Sequence, residues 1–284
     1  MVLRYLKKIA MRLRQLRPIP DLVLAEMYGG YSLLLRPSLD EHERQLFFDR
    51  TYEPALLAAL DLVLRPGDVM VDVGANLGIM TLHAARAVGP TGTVVAIEPH
   101  PSTYARLIRH IRINRFDNIK PVQIAAGATV ERRMLFDFPS VNIGRASLLA
   151  AEGGGKQVGT VDVDSLDNIL SWLGVEKVRM LKIDVEGFEP EVLRGASRII
   201  RQGPIICMEV SAEVANTDAN PLAAHDIIMS TGLFCAYTFL HGKRHAGPLK
   251  KAENRSQLAR QVHDNVVYIP KALRGELPPS LFEK

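Results

Sequence analysis

Short apolar runs alternate with amphipathic stretches along most of this chain. Residues 69–73 form an apolar run typical of a buried strand, residues 79–88 form a helical stretch ending at Gly89-Pro90, and residues 93–97 form a second apolar run. Strands and helices that alternate at this spacing indicate βα units and a mostly parallel sheet. The same pattern predicts further strands at 122–126, 134–138, 157–163, 178–183, 204–210, 234–239 and 265–269, and helices at 54–64 and 102–114. We therefore predict a doubly wound α/β domain.

The first fifty residues have a different pattern. Their apolar side chains recur at spacings of three and four, at Leu3, Leu6, Ile9, Leu13 and Leu16. Six basic residues precede the first acid, Asp21, so residues 2–16 fit a basic amphipathic helix. Such a helix can contact an anionic membrane surface through residues 1–20 or dock on a partner, and folding back onto its own domain is an equal alternative. We assign residues 1–50 to this extension, 51–271 to the α/β domain and 272–284 to a C-terminal tail.

Composition narrows the class of protein. Apolar residues make up 47% and charged residues 23% of the 284 positions, which is typical of a globular domain. The net charge of +4 is concentrated in the N-terminal extension and gives little support to a nucleic-acid partner. No uncharged run approaches the ~20 apolar residues of a membrane span, and the N-terminus has no continuous apolar stretch before a small-residue cleavage site. We expect a cytoplasmic protein, with peripheral membrane contact as the alternative.

The first candidate for chemistry is the turn that follows the strand at 69–73. Asp72 lies in that strand, and Gly74 and Gly78 flank the turn into the next helix. Glycine allows the tight turn and lets the helix start pack close to the strand. A dinucleotide site requires glycine at two positions that Asn76 and Ile79 occupy here. An acid at the strand end beside this turn suits the methionine half of S-adenosylmethionine, which carries a cationic ammonium group, better than it suits a diphosphate.

Further acids follow other predicted strands. Glu98 stands twenty residues beyond Gly78, where a carboxylate can accept hydrogen bonds from both hydroxyls of an adenosine ribose. Asp184 and Glu186 follow the strand at 178–183, and Glu209 ends the next one. Ligands of open parallel sheets bind outside the carboxyl ends of the strands, so these acids should meet in one crevice. The alternative is that they are solvated, or that they only support the start of the following helix.

Other polar clusters have simpler explanations. We expect no bound metal, because no third ligand is evident beside Asp184 and Glu186, and because His241 and His245 fit a surface loop. The chain lacks the Asn or Asp-Pro-Pro-aromatic run with which amino-methylating nucleic-acid methyltransferases hold a flipped base. Aromatic residues, which could stack on bases, make up only 6% of the chain. The arginines at every third position, Arg106, Arg109, Arg112 and Arg115, are expected on a solvated helix face.

Taken together, these motifs resemble the FkbM family of S-adenosylmethionine-dependent methyltransferases. The resemblance covers residues 52–270 and is most specific in LKIDVEGFEPEVLRGA at 181–196. It extends to the segments Tyr52-Glu53-Pro54, Ile97-Glu98-Pro99 and Ser165-Leu166-Asp167. It implies a seven-stranded class I methyltransferase sheet, here with an N-terminal helical extension, and usually O-methylation of a hydroxyl on a sugar, glycolipid or natural product.

The resemblance also implies roles for single residues. Asp184 and Glu186 would face the reacting centre as catalytic acids. Eight residues would hold the S-adenosylmethionine cofactor: Glu53, Asp72, Gly74, Ala75, Asn76, Gly78, Glu98 and Pro99. Two other functions stay open from the sequence, a nucleic-acid methyltransferase and a non-catalytic adenosine-binding module. Buried acids at 184 and 186 are costly for a pure binder, which favours an enzyme.

Overall fold

A computed structural model gives the fold over residues 19–137, 146–148, 155–209, 220, 222–240, 242, 246–258 and 264–283. The basic amphipathic helix predicted at residues 2–16 and the loop with His241 and His245 lie outside these residues. Of the helices that the structure describes, none is long and apolar enough to cross a membrane.

The described elements begin with strands β1 (Val23–Glu26) and β2 (Ser32–Leu35) and helices α1 (Glu41–Asp49) and α2 (Pro54–Val63). Next come β3 (Val69–Val73), α3 (Ile79–Val88), β4 (Thr93–Ile97), α4 (Pro101–Asn114) and β5 (Ile119–Val122). They are followed by β6 (Ala125–Gly127), β7 (Glu131–Asp137), β8 (Ala146–Ser147), β9 (Lys156–Ser165) and α5 (Leu166–Trp172). Then follow β10 (Met180–Ile183), α6 (Glu189–Arg194), α7 (Ser197–Arg201), β11 (Ile205–Glu209) and α8 (Ala223–Ser230). After them come β12 (Phe234–Phe239), β13 (Leu249–Lys251), α9 (Arg255–Leu258) and β14 (Asn265–Pro270), and two 3-10 helices, Lys271–Leu273 and Pro279–Leu281.

The central sheet orders its described strands as β13-β12-β14-β11-β10-β3-β4-β5. Strands β5, β4, β3, β10 and β11 are parallel, and β14 runs antiparallel between β11 and β12. Along β3, Met70 joins the apolar layer with α2 and α3, while Val71 joins the layer with α5 to α8. This is the predicted doubly wound class I methyltransferase sheet, with β13 added to the seven expected strands. The strand order reverses between β3 and β10, which is where such sheets bind ligands.

A second sheet has its described strands in the order β6-β9-β7-β8. The single strand predicted at 122–126 is wrong, because β5 pairs with β4 in the central sheet whereas β6 pairs with β9 in the second. The chain leaves the central sheet after Val122 so that β6 can approach α6. The approach is so close that a Cβ on Gly195 would overlap the carbonyl of Gly127. Apolar residues stand on both sides of this break with only Gln123 between them, so the pattern does not reveal it.

Residues 23–49 pack into the same core as the rest of the described chain. Ala25, Leu33, Leu35 and Leu46 of β1, β2 and α1 are fully buried in the same apolar cluster as residues of α2 and α3. The sequence pattern did not predict these strands, since each has only four residues and the Leu33-Leu34-Leu35 run shows no alternation.

Helix α4 fixes this segment through polar contacts. The Ser32 N–H donates to Asn114 Oδ1 at 2.7 Å, and Asn114 Nδ2 donates back to the Ser32 carbonyl at 2.8 Å. Arg106 forms an ion pair with the buried carboxylate of Glu43, with Nη1 and Oε1 2.6 Å apart. The prediction of a solvated arginine face is therefore wrong for Arg106, although the other three arginines of the series are exposed.

Candidate active site

The turn after β3 requires glycine at two positions. Gly74 has a φ of +80°, and a Cβ on it would overlap the carbonyl oxygen of Asp184 at the end of β10. Its N–H donates to the Ile97 carbonyl at 2.9 Å, which ties the turn to β4. Gly78 has a φ of +88°, and a Cβ there would lie 2.5 Å from Leu107 Cδ1 of α4. Gly78 thus allows the start of α3 to pack closely against α4. Gly74 leaves the backbone at the strand ends without a covering side chain.

Glu98 accepts hydrogen bonds from the backbone on both sides. Its Oε2 accepts from the Asn76 N–H at 2.8 Å, and its Oε1 accepts from the His100 N–H at 2.9 Å. Burial raises the pKa of Glu98 to about 7, although these two hydrogen bonds favour the charged form and oppose the shift. Asn76, with a φ of +49°, turns its N–H toward this carboxylate. The acid predicted to bind ribose is therefore anchored beside the glycine turn.

Asp72 lies beneath the site rather than in its wall. Its side chain is 0% exposed, its Oδ2 accepts from the Thr81 hydroxyl at 2.6 Å, and its Oδ1 is 3.2 Å from Lys182 Nζ. Lys182 also donates to the Gly74 carbonyl at 3.3 Å and lies 3.5 Å from Asp184 Oδ2. Burial acts to lower the pKa of Lys182, but the two carboxylates outweigh it and raise that pKa above its usual value. The sequence analysis missed Lys182, whose signal is a cation inside a buried apolar strand.

The segment after β10 is a tight loop held by Glu189. Glu186 has a φ of +53° and Gly187 a φ of +98°, both in the left-handed region. The buried carboxylate of Glu189 accepts from the N–H groups of Val185 at 3.1 Å and Gly187 at 3.2 Å. Burial raises the pKa of Glu189 to about 7. Glu189 thus holds the loop that carries Asp184 and Glu186, in addition to starting α6.

A cavity of about 300 Å³ opens at the carboxyl ends of β3, β4 and β10. Seven predicted residues line it: Gly74, Ala75, Asn76, Glu98, Pro99, Asp184 and Glu186. Glu209, the reserve candidate, lines it as well. The predicted residues Glu53, Asp72 and Gly78 do not reach its wall. Glu53 instead accepts a hydrogen bond from Asn265 Nδ2 at 2.8 Å.

Side chains between residues 40 and 52 form one further wall of the cavity, a role that the sequence did not predict for them. Asp40, His42 and Tyr52 line the cavity, and the His42 and Tyr52 rings have centroids 4.9 Å apart. Burial, and then the negative charges of Glu53 and Asp184, raise the pKa of Tyr52 well above its usual value. In the part of the chain that the structure describes, no group of three His, Cys, Asp or Glu side chains is placed to hold a metal ion.

Comparisons with known proteins agree with this geometry. The family model for the methyltransferase FkbM domain matches residues 72–238. The 31-O-demethyl-FK506 methyltransferase FkbM of Streptomyces tacrolimicus is 33% identical over 183 residues, covering 54% of this chain and 66% of that protein. The hexuronic acid methyltransferase AglP of Haloferax volcanii is 29% identical over 160 residues, covering 55% of this chain and 61% of that protein.

One solved structure of a protein named methyltransferase FkbM also aligns with this chain. The crystal structure of methyltransferase FkbM from Methylobacillus flagellatus aligns with a TM-score of 0.45 at 18% identity, covering 75% of this chain and 50% of that one. The chain spans less than two thirds of several of the proteins it matches. The family model nevertheless covers more than half of the chain, so this protein belongs to the FkbM methyltransferase family.

Proposed function

We propose that this protein transfers the methyl group of S-adenosylmethionine to a hydroxyl oxygen of a sugar, glycolipid or natural product. One observation carries the proposal: the bare backbone of the Gly74 turn, the anchored carboxylate of Glu98, and the acids Asp184 and Glu186 line the same cavity. The names of the two relatives, which specify an oxygen of FK506 and a hexuronic acid, support an acceptor of this class.

The chemistry of the cavity wall fits S-adenosylmethionine. The turn without a side chain at Gly74 lets a ligand reach the backbone, and Glu98 offers a carboxylate to the ribose hydroxyls. We infer direct contact for Gly74, Ala75, Asn76, Glu98 and Pro99. The other three predicted residues, Glu53, Asp72 and Gly78, would act by supporting the turn and the strands around it.

Methyl transfer to oxygen requires alignment and removal of one proton. S-adenosylmethionine held at the Gly74 turn and Glu98 would supply the methyl group, its carbon–sulfur bond breaking as the carbon–oxygen bond to the acceptor forms. Holding the acceptor in line can supply ~7 to 11 kcal/mol of the barrier. The acceptor proton passes to the carboxylate of Asp184 or Glu186, which can contribute ~10² to 10⁴ in rate. Lys182 lies 3.5 Å from Asp184, so it holds that carboxylate at the cavity edge.

The cofactor assignment is tested by calorimetry on the purified protein. We expect micromolar binding of S-adenosylhomocysteine and no binding of NADH, because Asn76 and Ile79 replace the glycines that a diphosphate requires. Heat with NADH and none with S-adenosylhomocysteine would reverse the assignment.

The catalytic assignment is tested with Asp184→Asn and Glu186→Gln. An acceptor is first found by offering sugars, glycolipids and glycosylated natural products with labelled S-adenosylmethionine. If one acid takes the acceptor proton, its variant should lose about 10²-fold or more in turnover while S-adenosylhomocysteine binding stays within a few-fold. Asp162→Asn is the matched control, since Asp162 is a largely exposed acid on β9. Wild-type turnover in both variants would move the catalytic role elsewhere, with Glu209 next.

A further inference from the structure

Two ring side chains, His42 and Tyr52, border the cavity beyond the proposed cofactor contacts. Their ring centroids are 4.9 Å apart and their planes are tilted by 33°. Both residues line the cavity that also holds Asp184 and Glu186. We call His42 and Tyr52 the ring pair. Rings in the wall of a ligand cavity offer apolar faces to whatever enters it, and the acceptor is the substrate that still needs such a surface.

Strand order separates Tyr52 from the carboxylate proposed to bind ribose. The residue after Tyr52, Glu53, accepts a hydrogen bond from Asn265 Nδ2 at 2.8 Å. Asn265 begins β14 and pairs with Glu209 at the end of β11. Glu98 follows β4 instead, and strands β10 and β3 lie between β11 and β4 in the sheet. The ring pair therefore lies toward the β11 side of the cavity, across the switch point from Glu98.

The acids proposed for catalysis lie on the same side as the ring pair. Burial is the largest cause of the raised pKa of Tyr52, and the carboxylates of Asp184 and Glu186 add to it. A charge shifts a pKa chiefly when it lies close to the titrating group, so the Tyr52 ring is near both acids. An acceptor that presents a hydroxyl to one of these acids therefore has the ring pair beside it.

Polar contacts fix the helix turn that carries His42. Asp40 caps α1 by accepting from the Glu43 N–H at 2.7 Å. Glu43 accepts from Arg106 of α4 through both carboxylate oxygens, at 2.6 and 2.7 Å, and from the Arg36 N–H at 2.6 Å. His42 lies between Asp40 and Glu43 in the chain, so its backbone is held from both sides. A wall that is already fixed lowers the ordering cost of binding a ligand.

We propose that the ring pair binds the acceptor by packing against the apolar face of a pyranose ring, while a hydroxyl of that ring reaches Asp184 or Glu186. A pyranose carries C–H groups on its faces and hydroxyls around its edge. Aromatic faces are apolar and partly negative, which suits C–H groups, and an ionised carboxylate accepts hydrogen bonds from several donors. A simple hydrocarbon alcohol matches the rings but leaves most of the neighbouring carboxylate oxygens without a donor. On the proposed function, on which this role rests, the ring pair selects a glycosyl ring among the acceptor classes.

Ligand-observed NMR on the full-length protein, saturated with S-adenosylhomocysteine, tests this role before an acceptor is known. The probes are the methyl pyranosides of glucose, galactose and mannose, and we expect saturation transfer from the protein to the ring C–H protons of at least one of them. The double change His42→Leu and Tyr52→Leu keeps apolar volume but removes both rings, and it should reduce the transfer about fivefold or more. Tyr52→Phe keeps the ring and should stay within about twofold of the wild type. Tyr28→Leu is the matched control, because Tyr28 is 79% exposed and lies outside the cavity wall.

Cofactor titration and kinetics separate this role from the proposed function. S-adenosylhomocysteine should bind the ring-pair variants within about twofold of the wild type, whereas Glu98→Gln should weaken its binding. On a glycoside that the acceptor screen identifies, Tyr52→Leu should raise KM about tenfold while kcat stays within about threefold. Failure of the wild type to bind S-adenosylhomocysteine would contradict the proposed function and, with it, the role of the ring pair. With that binding intact, the role alone is overturned by absent transfer to all three pyranosides, by undiminished transfer in the double variant, or by a loss of cofactor affinity in the ring-pair variants equal to that of Glu98→Gln.

Discussion

The charge pair of Asp72 and Lys182 gives the most direct test of how the site is held in place. Lys182→Met removes the cation but keeps most of the side-chain volume and its packing in β10. Asp72, which is 0% exposed, then keeps only its bond from the Thr81 hydroxyl and loses a cation 3.2 Å away. Leaving one member of a buried pair without its partner costs about 3–5 kcal/mol, a large share of a typical stability of about 5–15 kcal/mol.

The assay is urea unfolding followed by circular dichroism, compared across five proteins: the wild type, Lys182→Met, Asp72→Asn, their double variant and a control. We expect Lys182→Met to lower the free energy of unfolding by about 3 kcal/mol or more, and the double variant with Asp72→Asn to recover at least half of that loss. Lys250→Met is the control, because Lys250 lies at the surface 3.9 Å from Glu283, and it should stay within about 0.5 kcal/mol of the wild type.

The coupling between the two changes is the decisive quantity, because it measures the interaction of Asp72 with Lys182 directly. The reasoning is refuted if Lys182→Met costs less than about 1 kcal/mol and shows no coupling to Asp72→Asn, since the wild-type pair would then not be a buried ion pair.

Two other changes test the Gly74 turn and the proposed ribose-binding role of Glu98. Glu98→Gln should weaken S-adenosylhomocysteine binding by about 1 to 3 kcal/mol in calorimetry, and unchanged affinity would remove Glu98 from the cofactor site. Because the raised pKa of Glu98 is about 7, wild-type binding should weaken as pH falls below that value, and Glu98→Gln should lose this dependence. Without ligand, the free energy of unfolding should fall as pH rises from 4.5 toward about 7, since folded Glu98 and Glu189 keep protons that the unfolded chain has released. Gly74→Ala should abolish cofactor binding and destabilise the fold more than Gly174→Ala, whose φ is also positive but whose Cβ would meet open space; equal effects of the two would show that backbone strain alone matters.

The sequence predicted most of the residues that line the cavity at the strand ends and missed the lining contributed by the N-terminal segment. Gly74 and Glu98 are recognisable because a strand, a glycine turn and a helix are contiguous in sequence, and because topology brings parallel strand ends together. The wall formed by His42 and Tyr52 depends on long-range packing instead. Its supports join residues far apart in the chain, such as Ser32 with Asn114, and no local pattern encodes them.

Lys182 shows a second limit of prediction from sequence. Its position at the end of an apolar strand is evident, but burial of its cation depends on Asp72 of the neighbouring strand. Register between β3 and β10 places these two residues side by side. A sequence pattern establishes that both elements are strands without establishing that they are neighbours.

The contact between Gly74 and the Asp184 carbonyl limits how a new acceptor can be accommodated by mutation. The carbonyl oxygen of Asp184 occupies the space that a side chain at position 74 would need. The distance between the Gly74 turn and the loop that carries Asp184 and Glu186 must therefore stay the same when acceptor specificity is changed. The positions that can change with the acceptor therefore lie elsewhere in the cavity wall. In this protein those positions are His42, Leu135 and Leu148, which line the cavity on elements outside the contact. A library intended to redirect the enzyme to another acceptor should randomise these three and leave the strand ends untouched.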